Sequence, residues 1–480
     1  MQRGGRDIPL LQGLGHSYHA KVPSQENQAS EPERARLIPV TGIKGQREAE
    51  DRATSAMLAV LSVVRPFSVA LLGPLGVTRA KSARVEAFVQ PVVDVDGSTV
   101  RPDGLIRVSV GKRVSFEAFV ETKTGTAKLD AAQINAYLDA ARGAGVDAIV
   151  TISNEIAPAP GVHPTEGLRV RSNSKVAVHH LSWMLIMSEA VKEHSHRGVD
   201  DPEQAWILDE LIRYMSHPKS GVLDFADMGD NWTGVRDAAV DGSLSRNSPE
   251  AVEVCQRWDQ LLRVAALRLG TEIGSDVTEV IPRAHQQNPR LRNKEFVQSL
   301  CADGILNGVL RVPDAISDLS VSADIKTSRV IVSVAFPAPT DGTPRAAVVW
   351  LTKQLKEANG SLLVDAYARS AKHPVTASLE QLREDPRNGL GPAKQRPARF
   401  QLRYSAPLGQ GRRSTRKRGF IDSVLDAVLD FYGDVLQDLK PFVPRAPSIN
   451  RRNIPANAAD ASPQPAEGAA EATSAGADSP

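Results

Sequence analysis

Two acids and a lysine stand at spacings suited to phosphoryl chemistry. In FEAFVETKTG, residues 116–125, Glu121 and Lys123 are two positions apart. Side chains alternate faces along a strand. Phe116, Ala118, Val120 and Thr122 therefore share one side, and Glu117, Phe119, Glu121 and Lys123 the other. A second strand, GLIRVSV, comes before, and Gly111 with Lys112 supplies the turn. Antiparallel partners have positions with a constant total. A turn centred near Lys112 sets that total at 224 and puts Asp103 opposite Glu121. Such neighbours have Cβ atoms roughly 4.5–5.5 Å apart. Two carboxylates that close repel unless something neutralises them, and a hard divalent cation does so best. Lys123, one pleat further, can hold a phosphate oxygen or an attacking water. The set suits phosphodiester hydrolysis, in which a cation polarises the phosphoryl group and a lysine offsets developing charge.

The surrounding pattern supplies elements to carry these groups. From about Arg36 to Met187, helical and strand patterns alternate, which predicts an α/β unit. A helix over QREAEDRATSAMLAVLSVV comes first. Strands follow in RVEAFVQPVV, GLIRVSV and VSFEAFVE, then a helix in DAAQINAYLDAAR, then strands in DAIVTISN and KVAVHHL. Gln133 and Tyr137 are i, i+4 neighbours on the second helix and can face one bound strand.

Pro102-Asp103, then Glu121-Thr122-Lys123, then Gln133 and Tyr137 resemble the PD-(D/E)XK nuclease superfamily. The Gln-x-x-x-Tyr addition is similar to the branch containing RecB-type nucleases and their CRISPR-associated relatives. The resemblance spans about residues 40–190. It implies a restriction-endonuclease-like core in which Asp103, Glu121 and the Thr122 carbonyl ligate Mg²⁺, with Mn²⁺ as a substitute. Lys123 would be the catalytic lysine, and Gln133 and Tyr137 would contact the substrate. DNA as substrate follows from the resemblance alone.

That superfamily often adds a helix-borne glutamate. On a helical wheel with Glu50 at zero, Ala53, Met57, Leu61 and Val64 fall within about 60° of it, whereas Glu48 points away. Glu50 is thus the candidate third carboxylate. Its other reading is that it merely favours the positive helix N-terminus.

The other candidates read differently. His179 and His180 face opposite sides of one strand and do not readily share a metal; one of them could approach the site. His163, His194, His196 and His217 lack zinc spacing. Asp224, Asp227 and Asp230 are three apart, unlike the alternating oxygens of a calcium loop, and read as an acidic surface loop. Cys255 reads as core, and Trp350, Tyr367 and Tyr404 as core or near-core. Residues 387–418 hold ten basic side chains and no acid, densest at Arg412, Arg413, Arg416, Lys417 and Arg418. That run offers phosphate contacts, or it is a solvated loop.

Net charge of +2 over 480 residues excludes a polycation, so any nucleic-acid binding must be local. With 41% hydrophobic and 24% charged residues the composition is that of an ordinary globular protein. Two cysteines are too few for a disulfide framework and fit a reduced, cytoplasmic setting. No apolar run reaches membrane-spanning length.

The expected organisation is a flexible leader (1–35), the nuclease-like α/β domain (36–190), a mainly helical middle region (191–320), a small α+β domain (321–445) and a disordered tail (446–480). The expected function is a Mg²⁺-dependent nuclease acting on nucleic acid, with a defence or stress role in keeping. A protein partner or self-association is left open. The competing expectation is an inactive nuclease-fold scaffold that binds nucleic acid or a protein.

Overall fold

A computed structural model of the chain describes residues 36–444, apart from 41, 96–97, 159–160, 171–173, 370, 392–393 and 415–418. The expected leader and tail lie outside the described residues, as do Arg416, Lys417 and Arg418. The architecture is mixed α/β.

The first helices are α1 (Gln46–Val63) and α2 (Arg65–Leu72). Then come β1 (Ala83–Val89), a small hairpin of β2 (Val93–Val95) and β3 (Ser98–Val100), β4 (Gly104–Val110) and β5 (Arg113–Thr122). Helix α3 (Ala131–Ala144) crosses to β6 (Ala148–Ser153), and β7 (Ala177–Ser182) leads into α4 (Trp183–Val191). The sheet order is β1-β4-β5-β6-β7. Strands β1, β4 and β5 are antiparallel, whereas β5, β6 and β7 run parallel. A parallel step needs a crossover, and α3 provides the first.

From Gly104↔Val120 to Val108↔Phe116, paired positions of β4 and β5 total 224, the expected value. Near the turn the total drops to 223, at Ser109↔Val114 and Val110↔Arg113. The turn is centred between Gly111 and Lys112, and a bulge at Ser115 absorbs the extra residue. Gly111 has φ of +61°, the left-handed conformation that tight hairpin turns need.

Strand β5 is covered on both faces, which is why it reads as nearly continuous apolar sequence. Ala118 and Val120 pack with Ala53, Met57 and Leu61 of α1 and Trp183 of α4. Phe119 packs on the opposite face with Ile134, Tyr137 and Leu138 of α3. A surface ion pair on a half-exposed sheet is therefore excluded for Glu121, which has no exposure at all.

Helices α5 (Pro202–Met215), α6 (Trp232–Asp241) and α7 (Pro249–Ile273) follow. Ser248 caps α7 by accepting from the Ala251 N–H, with Pro249 at the first helical position, as its sequence predicts. Short β8 (Thr278–Glu279) precedes α8 (Arg283–Gln287) and α9 (Pro289–Asp303). Strands β9 (Ile305–Arg311), β10 (Leu319–Asp324) and β11 (Arg329–Pro337) come next. After α10 (Pro344–Gln354) lie β12 (Leu363–Ala368), β13 (Val375–Ser378), α11 (Leu379–Glu384), β14 (Pro397–Pro407) and α12 (Phe420–Phe431). They build a seven-stranded antiparallel sheet in the order β13-β12-β14-β11-β10-β9-β8.

This sheet begins upstream of residue 320, where the sequence placed the change from helical region to α+β domain. The masking signal is Asn307-Gly308, a pair that normally marks a turn. Here it lies inside β9, because a Cβ at Gly308 would run into Leu262 of α7. Cys255 is in the core as expected, and Trp350 and Tyr404 pack against it.

A buried ionic cluster joins α7, β8 and α9. Arg292 Nε donates to Asp259 Oδ1 at 2.7 Å, and its guanidinium also pairs with Glu279. Arg263 pairs with Asp259 and donates to the carbonyls of Ala157 and Pro158 in the loop after β6. Removing one partner strands a buried carboxylate. Arg292→Ala is expected to destabilise the chain by about 3–5 kcal/mol, read as a lower urea midpoint at unchanged slope.

Among the described residues no single helix is long and apolar enough to cross a membrane.

Candidate active site

Four elements converge at the C-terminal end of β5. Asp103 immediately precedes β4, and the hairpin register carries it opposite Glu121. Its Oδ2 accepts the Thr122 N–H at 2.8 Å, which ties the two strand ends together. Lys123 follows β5 and is held through its backbone. Its N–H donates to Ile152 O at 2.7 Å, and its carbonyl accepts from Trp183 Nε1 at 2.9 Å.

The Lys123 ammonium lies among three oxygens: Glu121 Oε1 at 2.6 Å, Thr122 O at 3.1 Å and Glu50 Oε1 at 3.2 Å. Glu50 thus joins the site from α1, as the wheel predicts, whereas Glu48 turns away to pair with Arg52. The alternative that Glu50 merely serves the helix N-terminus is displaced by this contact.

Burial sets the electrostatics. It pushes the Glu121 carboxyl up to about 7, with the Asp103 charge adding to the rise and Lys123 opposing it. Burial also raises Glu50, again against Lys123. For Lys123, burial works to lower the pKa, but Glu121, Glu50 and Asp103 outweigh it, and the ammonium is held above its usual range.

Tyr137 and Gln133 lie beside this set but are engaged with each other. Gln133 Nε2 donates to the Tyr137 hydroxyl at 3.0 Å, and that hydroxyl donates to Arg101 O at 3.2 Å. Tyr137 is only 5% exposed. Direct contact with a bound strand, expected from its spacing, gives way to support of Arg101, while Gln133 stays half-buried.

A cleft of about 440 Å³ opens onto the site, lined by Glu50, Asp103 and Lys123 together with Arg47, Gln90 and Arg101. The last three were not singled out in the sequence. Arg101 stands two residues before Asp103, and that proximity was a usable signal. Gln90 gave none. It adopts φ of +46°, donates its N–H to Asp103 O at 2.9 Å, and bridges Asp51 Oδ1 and Arg101 with its side-chain amide.

Among the described residues no group of three His, Cys, Asp or Glu side chains is placed to hold a metal ion. The donors at this site are instead two carboxylates and a carbonyl. Mg²⁺ commonly takes one or two carboxylates and fills the rest of its shell with water and phosphate oxygens. Glu121 Oε2 is buried without a formed hydrogen bond, although the Tyr137 hydroxyl is near enough to work against the rise of the carboxyl's pKa. An orphaned carboxylate oxygen beside Asp103 is a donor set that fits a hard divalent cation.

His163 and His180 are engaged away from the carboxylates. Thr151 pairs with Glu121 and His180 with Thr151, so His180 stands two strand spacings away, roughly 10 Å. Its Nδ1 lies 3.0 Å from Thr151 Oγ1 and its Nε2 2.8 Å from Glu155 O. His163 Nε2 reaches the same threonine at 2.7 Å. Burial lowers both rings to about 4, with His180 adding to the effect on His163. The expectation that His179 or His180 approaches the site is not met by His180, both of whose ring nitrogens are engaged.

The basic run meets the acidic loop. Arg412 pairs with Asp227 at 3.1 Å and also with Asp230, and Arg413 pairs with Asp227 at 3.3 Å. The loop read as surface acid is thus the counter-charge of these two arginines.

No family model, curated protein or solved structure matches the chain.

Proposed function

We propose that the chain is a metal-dependent nuclease with a restriction-endonuclease-like core, acting on phosphodiester bonds, with DNA as the favoured substrate. One observation carries this reading. A fully buried glutamate, an aspartate from the paired strand and a lysine bridging to a third carboxylate meet at the end of one strand, beside an open polar cleft. Buried carboxylates without full partners are costly and concentrate where chemistry needs them.

When bound by Asp103, Glu121 and the Thr122 carbonyl, a divalent cation supplies Lewis-acid polarisation and a more acidic water. Thr122 N–H fixes the Asp103 carboxylate toward β5. Lys123, held on Glu121 Oε1 and Glu50, would turn its ammonium to the attacking water or a phosphate oxygen, leaving Glu121 Oε2 to the cation. Glu50 would keep the Lys123 ammonium beside the cleft. Arg47 and Arg101 give the phosphate backbone a cationic path, and Tyr137 with Gln90 fixes Arg101. Two unpaired cysteines accord with a cytoplasmic setting, and a defence or stress role remains in keeping.

A second reading is an inactive scaffold. It draws on the Lys123 ammonium, which already bonds Glu121 Oε1, Glu50 Oε1 and the Thr122 carbonyl without a metal. Cleavage of circular and linear DNA in Mg²⁺, Mn²⁺ or EDTA separates the two. Metal-dependent cutting supports the nuclease. An intact fold with neither cutting nor Mn²⁺ binding supports the scaffold.

Arg101→Ala offers a finer test of the path. Loss of a charge-assisted contact to phosphate is expected to raise KM roughly tenfold while kcat stays within about twofold. An equal fall in kcat would place Arg101 in the chemistry instead.

A further inference from the structure

The open face of the seven-stranded sheet is built unlike the rest of the surface. Helices α7, α9, α10 and α12 all contribute to the core on one side, where Leu319, Val321, Val332, Val334, Phe400 and Leu402 point. By alternation, the neighbouring residues of the same strands point away from that core. The register brings them into rows. Ser320 of β10 pairs with Ser333 of β11, which pairs with Arg403 of β14. One row over, Ser322 pairs with Ile331, which pairs with Ser405. Four serines, Ser320, Ser322, Ser333 and Ser405, thus lie across three strands, with Ile331 and Arg403 among them.

Arginines stand around these serines. Arg329 donates to Ser405 Oγ at 3.0 Å and to Ser405 O at 2.8 Å, and so lies along them. Arg399 is exposed, and its guanidinium carbon sits 4.1 Å from the centre of the Tyr367 ring, to which it is paired in register. The four strands β10, β11, β12 and β14 carry two acids, Asp324 and Asp365. Asp365 is 3% exposed and is consumed by Arg403, at 2.5 and 2.9 Å, and by Thr376 at 2.6 Å. Asp324 lies at the end of β10 opposite Arg329, accepting the Thr327 N–H. The exposed charge is therefore mainly guanidinium, alternating with hydroxyls and one aromatic ring.

We propose that this face binds single-stranded nucleic acid through its phosphodiester backbone. Arginine, serine and tyrosine are the side chains that contact phosphate and sugar without reading sequence. A base can stack on Tyr367 beside Arg399, and such platforms tolerate any base. The major groove of a duplex admits one helix or a two-stranded ribbon, so a seven-stranded sheet cannot enter it, whereas an extended single strand can lie across it. The face would act independently of cleavage and would present a strand to the chain whether or not the cleft cuts it.

The test is anisotropy of labelled (dT)20 and (rU)20 with the full chain in EDTA, which keeps the cleft silent. Arg399→Glu and Ser320→Glu, at exposed positions on different strands, are each expected to weaken binding at least fivefold, and together at least twentyfold. The logarithmic salt slope should fall as each phosphate contact is lost, by about 0.7 per contact. Thermal midpoints within about 2 °C of the parent show that the fold is intact. A change under twofold in both variants overturns the proposal. Loss of binding in Arg47→Ala or Arg101→Ala with none in the sheet variants overturns it in favour of the cleft. Displacement of the oligonucleotide by polyglutamate at equal charge concentration overturns it in favour of an acidic protein partner.

Discussion

Replacing Asp103 or Lys123 by alanine is expected to lower metal-dependent DNA cleavage by on the order of 10³-fold, the scale of losing a preorganised charge at a transition state. The two substitutions should fail differently. Asp103 has a structural duty as well, since its Oδ2 accepts the Thr122 N–H. Asp103→Asn keeps an acceptor for that N–H and removes only the charge. It should retain the melting temperature while losing cleavage and Mn²⁺ affinity. Lys123→Ala removes the ammonium from Glu121, Glu50 and the Thr122 carbonyl. The buried carboxylates left behind favour protonation, so this variant should fold best below neutral pH. Cleavage that survives both substitutions, at matched purity, would locate the activity outside this site.

Glu121→Gln is expected to stabilise the metal-free protein at pH 8 while abolishing cleavage. Glu121 is raised from 4.5 to about 7 in the fold. Between those values the folded state holds a proton that the unfolded state has released. Its contribution is fully present below about pH 4.5 and is lost as pH rises to about 7, at about 1.4 kcal/mol per unit. The cost at pH 8 is therefore up to about 3 kcal/mol, and glutamine, which cannot ionise, avoids it. Other groups slope too. Glu279, raised by burial to about 8, acts in the same sense. His163 and His180, lowered to about 4, act in the opposite one, their contribution being lost as pH falls from about 6.5. The quantity to measure is thus the difference between parent and variant in urea unfolding with EDTA, at pH 5 and pH 8. A difference that does not grow with pH would show that Glu121 ionises freely. Added Mg²⁺ should stabilise the parent more than the variant.

Much of the site was legible because it depends on short-range rules. Alternation and a two-residue turn were enough to place Asp103 opposite Glu121, and the bulge at Ser115 shifted the register only on the turn side of that pair. Helical periodicity was enough to turn Glu50 inward, because Ala53, Met57 and Leu61 fix the buried stripe of α1. What was not legible depends on partners distant in sequence. The role of Gln90 rests on an unusual backbone angle and on Asp51 and Arg101, 39 and 11 residues away. Tyr137 looked able to reach substrate, but Arg101 O, 36 residues upstream, takes its hydroxyl. The start of the larger sheet within the expected helical region (191–320) rests on contacts such as that of Gly308 with Leu262, 46 residues upstream.

Helix α7 bears on how the chain can be divided. Its buried face belongs to the core of the larger sheet, yet Gln260 and Arg263 hold the carbonyls of Ile156, Ala157 and Pro158, just past β6. On its other flank, Thr271 donates to Ser188 of α4 at 2.7 Å. The loop leaving β6, the strand next to β5, is thereby held by α7 residues more than a hundred positions downstream. A gene fragment ending near residue 190 would encode every side chain of the site without the brace that holds the adjoining loop. Modularity in the sequence and modularity in the folded chain are different things here, and recombination that respects only the first would inherit the chemistry without its rigidity.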